Sequence, residues 1–222
     1  MPWKDIELEE IYERMIQITR TSESIQGGRD QIVQTIKSIY DGLEVPALIE
    51  VHPEKLNQQF ARWIGRLLLK EPLPDGIRSL YFGLFEALYV YYFFFRERCI
   101  ELYVSGSREL PAAKNWTCEN SYWPNGRYSK IFIDNKIYKS ITKIAEPIEF
   151  ELNILVLGTL AMLLIKFNAR LMYETVRKDL WIGCGFDAGD TFILGKLSAQ
   201  GIDLSQMKAT GYFIDLKPLS LK

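Results

Sequence analysis

The residues with the clearest chemical potential are the glycines and acids of one octet, residues 183–190, which reads GCGFDAGD. Its glycine spacing is not the dinucleotide-binding fingerprint, and we expect the octet between two strands rather than at a helix start. Asp187 and Asp190 lack the alternating oxygen ligands and the terminal Glu of a calcium loop. The octet therefore predicts a hairpin turn in which Gly189 has a positive φ and Asp187 bonds its own backbone.

The cysteines, the histidine and the paired acids give little support to catalysis or metal binding. His52 is the only histidine and is distant in sequence from Cys184, so we interpret the first as a loop or capping residue and the second as a small buried thiol. No C-x-x-C pair is present, and one histidine does not complete a usual zinc site. The carboxylates Glu146, Glu149 and Glu151 surround a helix start, where acids favour the helix dipole. We predict no catalytic residue, no metal site and no cofactor.

Length and composition favour one folded domain over residues 1–222. The chain is 48% apolar and 25% charged, which excludes disordered and collagen-like classes. At this length a folded chain buries roughly 70% of the surface that its unfolded form exposes, enough for a sizeable core. The near balance of 27 basic and 28 acidic residues removes the usual electrostatic basis for nucleic-acid binding, so no nucleic-acid partner is predicted.

The same features predict a cytoplasmic protein without a membrane partner. Three cysteines, odd in number and far apart, are typical of a reducing compartment. The first ten residues carry four acids and no apolar run, so no secretory signal is expected. The apolar stretches 80–95 and 154–165 are interrupted or shorter than the roughly 18 to 20 residues that a membrane span requires.

Apolar periodicity predicts helices at both ends of the chain. Apolar residues at intervals of three and four indicate amphipathic helices over about 6–20, 32–42 and 53–71. The segment from Ile148 to Tyr173 is apolar nearly all round in its middle, and this predicts one long buried helix.

Strands are expected between and after these helices. The stretch 76–106 fits either one long helix or, as its aromatic and β-branched residues favour, two strands joined near 96–98. Apolar runs on both sides of the octet predict a β-hairpin. Short strands are further predicted at 129–134 and 212–216, and 108–128 is expected to be a long ordered loop. The predicted class is α+β, with N-terminal helices, an antiparallel sheet and the long buried helix.

Charge is distributed unevenly along the chain. Residues 1–50 carry five basic and ten acidic side chains, a net charge of −5, whereas residues 51–222 carry 22 and 18, a net charge of +4. An acidic helical face of this kind can dock a basic protein partner, although the solvated outer faces of amphipathic helices give the same pattern.

Several local patterns point to one kind of protein. They are LYFGLFE at 80–86, LYVSGS at 102–107, NWTC at 115–118 with YWP at 122–124, and GFDAGD at 185–190 with Leu194-Gly195 after it. Together, over about 77–197, they resemble small bacterial immunity-type proteins that accompany secreted polymorphic toxins. In one respect the chain differs from those proteins: it lacks an acidic run before Trp116. The resemblance implies an α+β domain that has no catalytic residues and binds a toxin.

Two functions of different class follow. The first is a non-enzymatic binding protein that covers a partner, a toxin domain if the resemblance holds, with Trp116 and Trp123 as exposed anchors and with Asp187 and Asp190 as complementary charge. The alternative is a small cytoplasmic enzyme whose site lies between the Trp116/Trp123 loop and the Asp187 hairpin, which predicts a concave pocket holding a carboxylate of shifted pKa. Because no nucleophile–base pair, metal set or phosphate loop is evident, the sequence favours binding. Oligomeric state does not follow from the composition.

Overall fold

Helices and strands alternate in blocks along the part of the chain that the computed structural model describes, residues 7–91, 95–111, 116–117, 119, 121–132, 136–144, 148–187 and 190–211. The helices are α1 (Leu8–Thr21), α2 (Ile25–Ile39), α3 (Pro46–Ile49), α4 (Pro53–Lys70), α5 (Lys136–Ile144), α6 (Glu149–Asn153), α7 (Thr159–Phe167) and α8 (Ala169–Val176). The strands are β1 (Ser79–Tyr91), β2 (Phe95–Ser107), β3 (Tyr128–Ser129), β4 (Leu180–Phe186), β5 (Asp190–Ser198), β6 (Gly201–Asp203) and β7 (Lys208–Gly211). The predicted α+β class is confirmed.

The N-terminal helices follow the apolar periodicity, with one difference at the start of α2. This helix begins at Ile25 rather than near residue 32, because the Ser24 side chain caps it by accepting a hydrogen bond from the Gly27 amide at 2.9 Å. Gly28 lies inside α2, at a position where a side chain would collide with Leu163. The glycine therefore permits close packing of α2 against Leu163. Short helix α3 lies between the second and third predicted helices.

The predicted long buried helix is present as a continuous helix over Glu149–Phe167, here called the core helix. Its middle, Ile154–Gly158, is a π-helical turn. The helix ends at Asn168, whose side-chain amide donates to the Leu164 carbonyl at 2.8 Å, and the chain then continues as α8. By length and mean hydropathy (1.8) the core helix would suffice for a membrane span, but 78% of that window is buried inside the protein, the arrangement of a core helix.

The sheet has the order β3-β2-β1-β4-β5-β6, and β7 pairs with the other half of the outer edge of β5. Residues 76–106 form two strands, β1 and β2, whose last described pair is Tyr91 with Phe95, a few residues before the predicted junction. The β4–β5 hairpin is confirmed. The sheet is mixed rather than wholly antiparallel, because β1 and β4 run parallel.

Three smaller predictions have different outcomes. Of the strand expected at 129–134, only the first residue belongs to β3, and Lys130–Phe132 forms a 3₁₀ turn. The strand predicted at 212–216 and the positive φ of Gly189 lie outside the described residues.

Alternation along the strands gives the sheet two different faces. The face toward the helices is formed by fully buried side chains of β1, β2 and β4, including Leu80, Phe82, Leu102 and Ile182. The core helix packs between this face and helices α1, α2 and α4. The intervening residues point to the opposite face, over which no helix packs in the described part of the chain.

Candidate functional site

The opposite face of the sheet carries a continuous group of aromatic rings, here called the aromatic face. Its members come from β1, β2, β3, β4 and the loop before β3: Tyr81, Phe85, Tyr103, Trp116, Trp123, Tyr128 and Trp181. Neighbouring rings meet at centroid distances between 5.5 and 6.3 Å, mostly edge to face. This spacing and orientation are those of favourable aromatic pairs.

Two glycines let rings lie directly on the backbone of this face. Gly83 is paired with Tyr103 across β1 and β2, and a Cβ on Gly83 would lie 2.2 Å from the Tyr103 ring. A Cβ on Gly183 of β4 would lie at the same distance from the Trp116 ring. Any larger residue at either position displaces a ring, so the glycines set the shape of the aromatic face.

The loop that carries Trp123 is fastened to the end of α4. The Glu71 carboxylate accepts hydrogen bonds from the Asn125 and Gly126 amides at 2.6 and 2.8 Å. The Trp63 indole donates to the Gly126 carbonyl at 3.0 Å. These contacts fasten the loop to α4, and such preorganisation lowers the entropy cost of binding.

Arg127 lies between two exposed rings at the rim of the aromatic face. Its guanidinium carbon is 4.5 Å from the ring centres of both Trp123 and Tyr128. Both rings are 43% exposed, whereas most large apolar side chains of the protein are buried. Trp, Tyr and Arg are the residue types that most often carry binding energy at protein interfaces.

Asp187 joins the hairpin turn to the aromatic face. The Tyr103 hydroxyl donates to Asp187 Oδ1 at 2.7 Å, and the Tyr103 ring also contacts Trp123. Partial burial raises the pKa of the Asp187 carboxyl, and the Tyr103 hydrogen bond offsets part of that rise. Desolvation likewise raises the pKa of Tyr81 well above its usual value, with nearby Tyr103 and Asp187 adding to the rise. The Tyr81 hydroxyl is therefore neutral at pH 7.

The structure brings three of the four predicted binding residues to the same face. Trp123 is exposed and Asp187 lies on the other side of Tyr103, so both are accessible there. The expectation that Trp116 is an exposed anchor is wrong: it is 4% exposed, because it fills the space above Gly183 and packs on Tyr81. Asp190 begins β5, and its side chain lies outside the described residues.

Two clefts lie beside the exposed stack of this face, and Phe85 belongs both to the face and to the first cleft. One, of about 460 Å³, is lined by Asp187 and by acids of β1 and α6, and neither Trp116 nor Trp123 borders it. The other, of about 470 Å³, separates α4 from β3 and carries Arg62, Arg66 and Lys70. The carboxylate of shifted pKa that the enzyme hypothesis requires is thus present, but the cavity it borders lies away from the tryptophans.

The described residues offer neither a metal centre nor a reactive thiol. No group of three or more His, Cys, Asp or Glu side chains among them is arranged to hold a metal ion. Cys99 and Cys184 are buried thiols that form no disulfide, and burial raises the pKa of Cys184 to about 12. Because the thiolate is the nucleophile, Cys184 is not poised for catalysis.

Sequence reasoning missed the residues that organise the site. Tyr103, Arg127 and Tyr128 were not singled out, nor was Glu71. One signal was available: the run from Tyr81 to Phe85 is apolar at odd as well as even positions, which marks a strand with two apolar faces. The partners of Glu71 are long-range contacts that leave no local signal.

Comparison with protein-family models, with curated proteins and with solved structures found no match to this chain. The resemblance to immunity-type proteins therefore stays a hypothesis that rests on the sequence patterns alone.

Proposed function

We propose that this protein is a non-enzymatic binding module that covers the surface of a protein partner with its aromatic face. The observation that carries the proposal is the Trp123–Arg127–Tyr128 stack, with both rings 43% exposed and Arg127 4.5 Å from each. Exposed rings that are held rigidly lose little conformational entropy on binding. The stack thus combines residue types, exposure and order that suit the centre of an interface.

The finer form of the proposal follows from the resemblance to immunity-type proteins. The partner is then a toxin domain made in the same cytoplasm, and the protein neutralises it by covering its surface. Asp187, at the edge of the aromatic face, supplies negative charge for a basic group of the toxin. No bond-making chemistry by this chain is needed for neutralisation.

The test is capture of a stoichiometric partner by the full chain in its native host. Wild-type protein, Trp123→Ala and Leu69→Ala are compared by quantitative mass spectrometry. Leu69 is a matched control because it is an exposed apolar residue, 74% exposed, on α4. We expect a partner that Trp123→Ala loses and Leu69→Ala retains.

A second step separates neutralisation from mere binding. The captured partner is expressed alone and together with this protein, and growth of the cells is measured. Growth arrest that wild-type protein relieves and Trp123→Ala does not relieve supports the toxin proposal. A partner bound equally by Trp123→Ala overturns the assignment of the aromatic face.

One observation favours the enzyme as a second candidate. Asp187 has a raised pKa and borders a 460 Å³ cavity at the carboxyl end of β4, a place where α/β sheets often bind ligands. Wild-type protein and Asp187→Asn would each be incubated with a cellular metabolite extract. Depletion of a metabolite by wild type only would support an enzyme, and identical profiles would argue against it.

A further inference from the structure

The 460 Å³ cavity lies at the end of the sheet where β1 and β4 run parallel. It is enclosed by these strands, by β2, by α5 and by the first turns of the core helix. Part of its wall is apolar and includes Phe85, Phe150 and Phe186. Phe150 is 45% exposed, so the apolar wall reaches the surface. The cavity therefore has an aromatic lining and an open mouth.

The polar part of the wall is acidic. Glu86 projects from β1, Glu149 and Glu151 from α6, and Asp187 from the end of β4, and the described lining contains no lysine or arginine. Glu86 is paired with the outward-facing Arg98 at 3.3 Å. In the described part of the chain, Glu149 and Glu151 form no ion pair, so only the start of the core helix, in whose first turn they lie, favours their negative charge.

Asn153 is the observation that points to a ligand. It lines the cavity, is 8% exposed, and its carbonyl oxygen Oδ1 has no hydrogen-bond partner among the described residues. A buried acceptor without a donor destabilises the folded protein. The residue also lies at the start of the π-helical turn, and such turns occur frequently at functional sites. An unpaired acceptor among carboxylates calls for a ligand that donates hydrogen bonds and carries positive charge.

We propose that this cavity binds a guanidinium group carried on an apolar stem. A guanidinium presents five N–H donors in one plane and can therefore satisfy acceptors that come from separate elements. It is weakly hydrated and stacks on aromatic rings, which suits the phenylalanine wall. The described acids are not arranged to chelate a metal ion, so an organic cation fits the site better. The inference does not depend on the proposed protein-binding function: the cavity shares Phe85 and Asp187 with the aromatic face, but Trp123, Arg127 and Tyr128 do not line it.

The first experiment compares charged and neutral isosteres by isothermal titration calorimetry with the full chain. The probes are the capped tripeptide acetyl-Gly-Arg-Gly-amide, the same peptide with citrulline for arginine, and free agmatine. Citrulline has the shape of arginine without its charge. We expect at least one guanidinium probe to bind saturably and the citrulline peptide to bind at least about tenfold more weakly, as loss of a charge-assisted hydrogen bond implies.

The two guanidinium probes distinguish the source of the group. Binding of the capped peptide identifies an arginine side chain of a protein. Binding of agmatine but not of the peptide identifies a free small molecule. Equal binding of arginine and citrulline peptides, or no saturable binding of either guanidinium probe, overturns the proposal.

Variants locate the binding in the cavity. Asn153→Leu and the double variant Glu149→Gln/Glu151→Gln are each expected to weaken guanidinium binding about tenfold or more. Glu174→Gln, which neutralises an exposed acid on α8, is the matched control and should bind as wild type does. Asn153→Leu should also raise the melting temperature of the free protein, because it removes the unpaired acceptor.

These readouts also separate failure to bind from failure to fold. A variant that melts at or above the wild-type temperature and has lost binding supports the site. Unchanged affinity in both the asparagine and the glutamate variants would place the ligand elsewhere and overturn the assignment. Trp123→Ala should leave guanidinium binding unchanged, so failure of the binding-module proposal is recognised separately.

Discussion

The two faces of the sheet are both apolar, but they are built from different side chains. The face toward the helices uses side chains such as Leu80, Phe82 and Ile182, all fully buried beneath the helix layer. The aromatic face instead uses rings that lie on Gly83 and Gly183 and are covered by one loop. Rings that pack on one another on a sheet need no second layer to be ordered. The comparison shows how a face can be rigid and still present apolar surface, the feature on which the proposed binding function rests.

The largest expected effect is a loss of stability when a side chain is removed from the face toward the helices. Phe82 is fully buried and its ring contacts Phe60 and Trp63, at centroid distances of 5.9 and 6.5 Å. Phe82→Ala should lower the free energy of unfolding by about 3–5 kcal/mol because it leaves a cavity among these rings. Phe85→Ala, three residues along the same strand but half-buried on the aromatic face, should cost less than half as much. Urea unfolding of both variants measures the difference; equal losses would show that the aromatic face is as closely packed as the core.

The next prediction concerns Gly83, on which the Tyr103 ring lies. Gly83→Ala should lower the free energy of unfolding by about 1–3 kcal/mol, because its Cβ would lie 2.2 Å from the Tyr103 ring and force the ring to move. Gly65→Ala is the matched control: the new Cβ would meet only Leu171, at 3.7 Å, inside helix α4, and should stabilise by about 0.5–1 kcal/mol.

A double variant tests whether the ring itself is the cause. In a Tyr103→Leu background the added penalty of Gly83→Ala should fall to near zero, since the colliding ring is gone. A penalty that persists unchanged in that background would contradict the role assigned to Gly83. Thermal and urea unfolding of the four proteins complete the cycle.

A smaller effect is expected where the helix layer holds the loop of the aromatic face. Glu71→Ala removes two charge-assisted hydrogen bonds to the Asn125 and Gly126 amides. Because these groups are partly solvated, the loss should be about 1 kcal/mol. Amide hydrogen exchange at residues 125 and 126 should accelerate, while exchange in β1 stays unchanged. Glu174→Ala serves as the control. Faster amide exchange at residues 125 and 126 in this variant as well would mean that the effect is not specific to the Glu71 contacts.

The sequence predicted those parts of this arrangement that depend on local pattern. The amphipathic helices, the core helix, the β4–β5 hairpin and the strands of 76–106 each follow from periodicity and turn chemistry. The parallel pairing of β1 with β4 did not, because the two strands are far apart in the chain and local patterns carry no pairing information.

The candidate site likewise contains some residues that local pattern predicts and others that depend on long-range contacts. Asp187 was found because its turn is a local pattern, whereas its partner Tyr103 lies 84 residues away. Trp116 was expected at the surface because loops usually are exposed. It is buried because Gly183, on a distant strand, leaves room for its ring.

The smallest effect concerns pH and the edge of the aromatic face. The pKa of Asp187 is raised above its usual value of 3.8, mainly by desolvation. A carboxyl with a raised pKa in the folded state costs no stability below pH 3.8, and stability falls as pH rises through the folded value. Asp187→Asn does not ionise, so it should be more stable than wild type at pH 7 and lose that advantage below about pH 3.8. Water screens this partly exposed residue, so the difference should be well under about 1 kcal/mol.

The hydrogen bond from Tyr103 gives this prediction a sharper form. The Tyr103 hydroxyl, 2.7 Å from Asp187 Oδ1, favours the ionised carboxylate and so opposes the effect of desolvation. Tyr103→Phe removes that donor and keeps most of the ring, so the pKa of Asp187 should rise further. Carbon-detected NMR titration of the Asp187 carboxyl measures the shift directly, with Asp179, an exposed acid paired with Lys196, as an internal reference. A pKa that falls in Tyr103→Phe would mean that the ring, rather than its hydroxyl, determines the charge at the edge of the aromatic face.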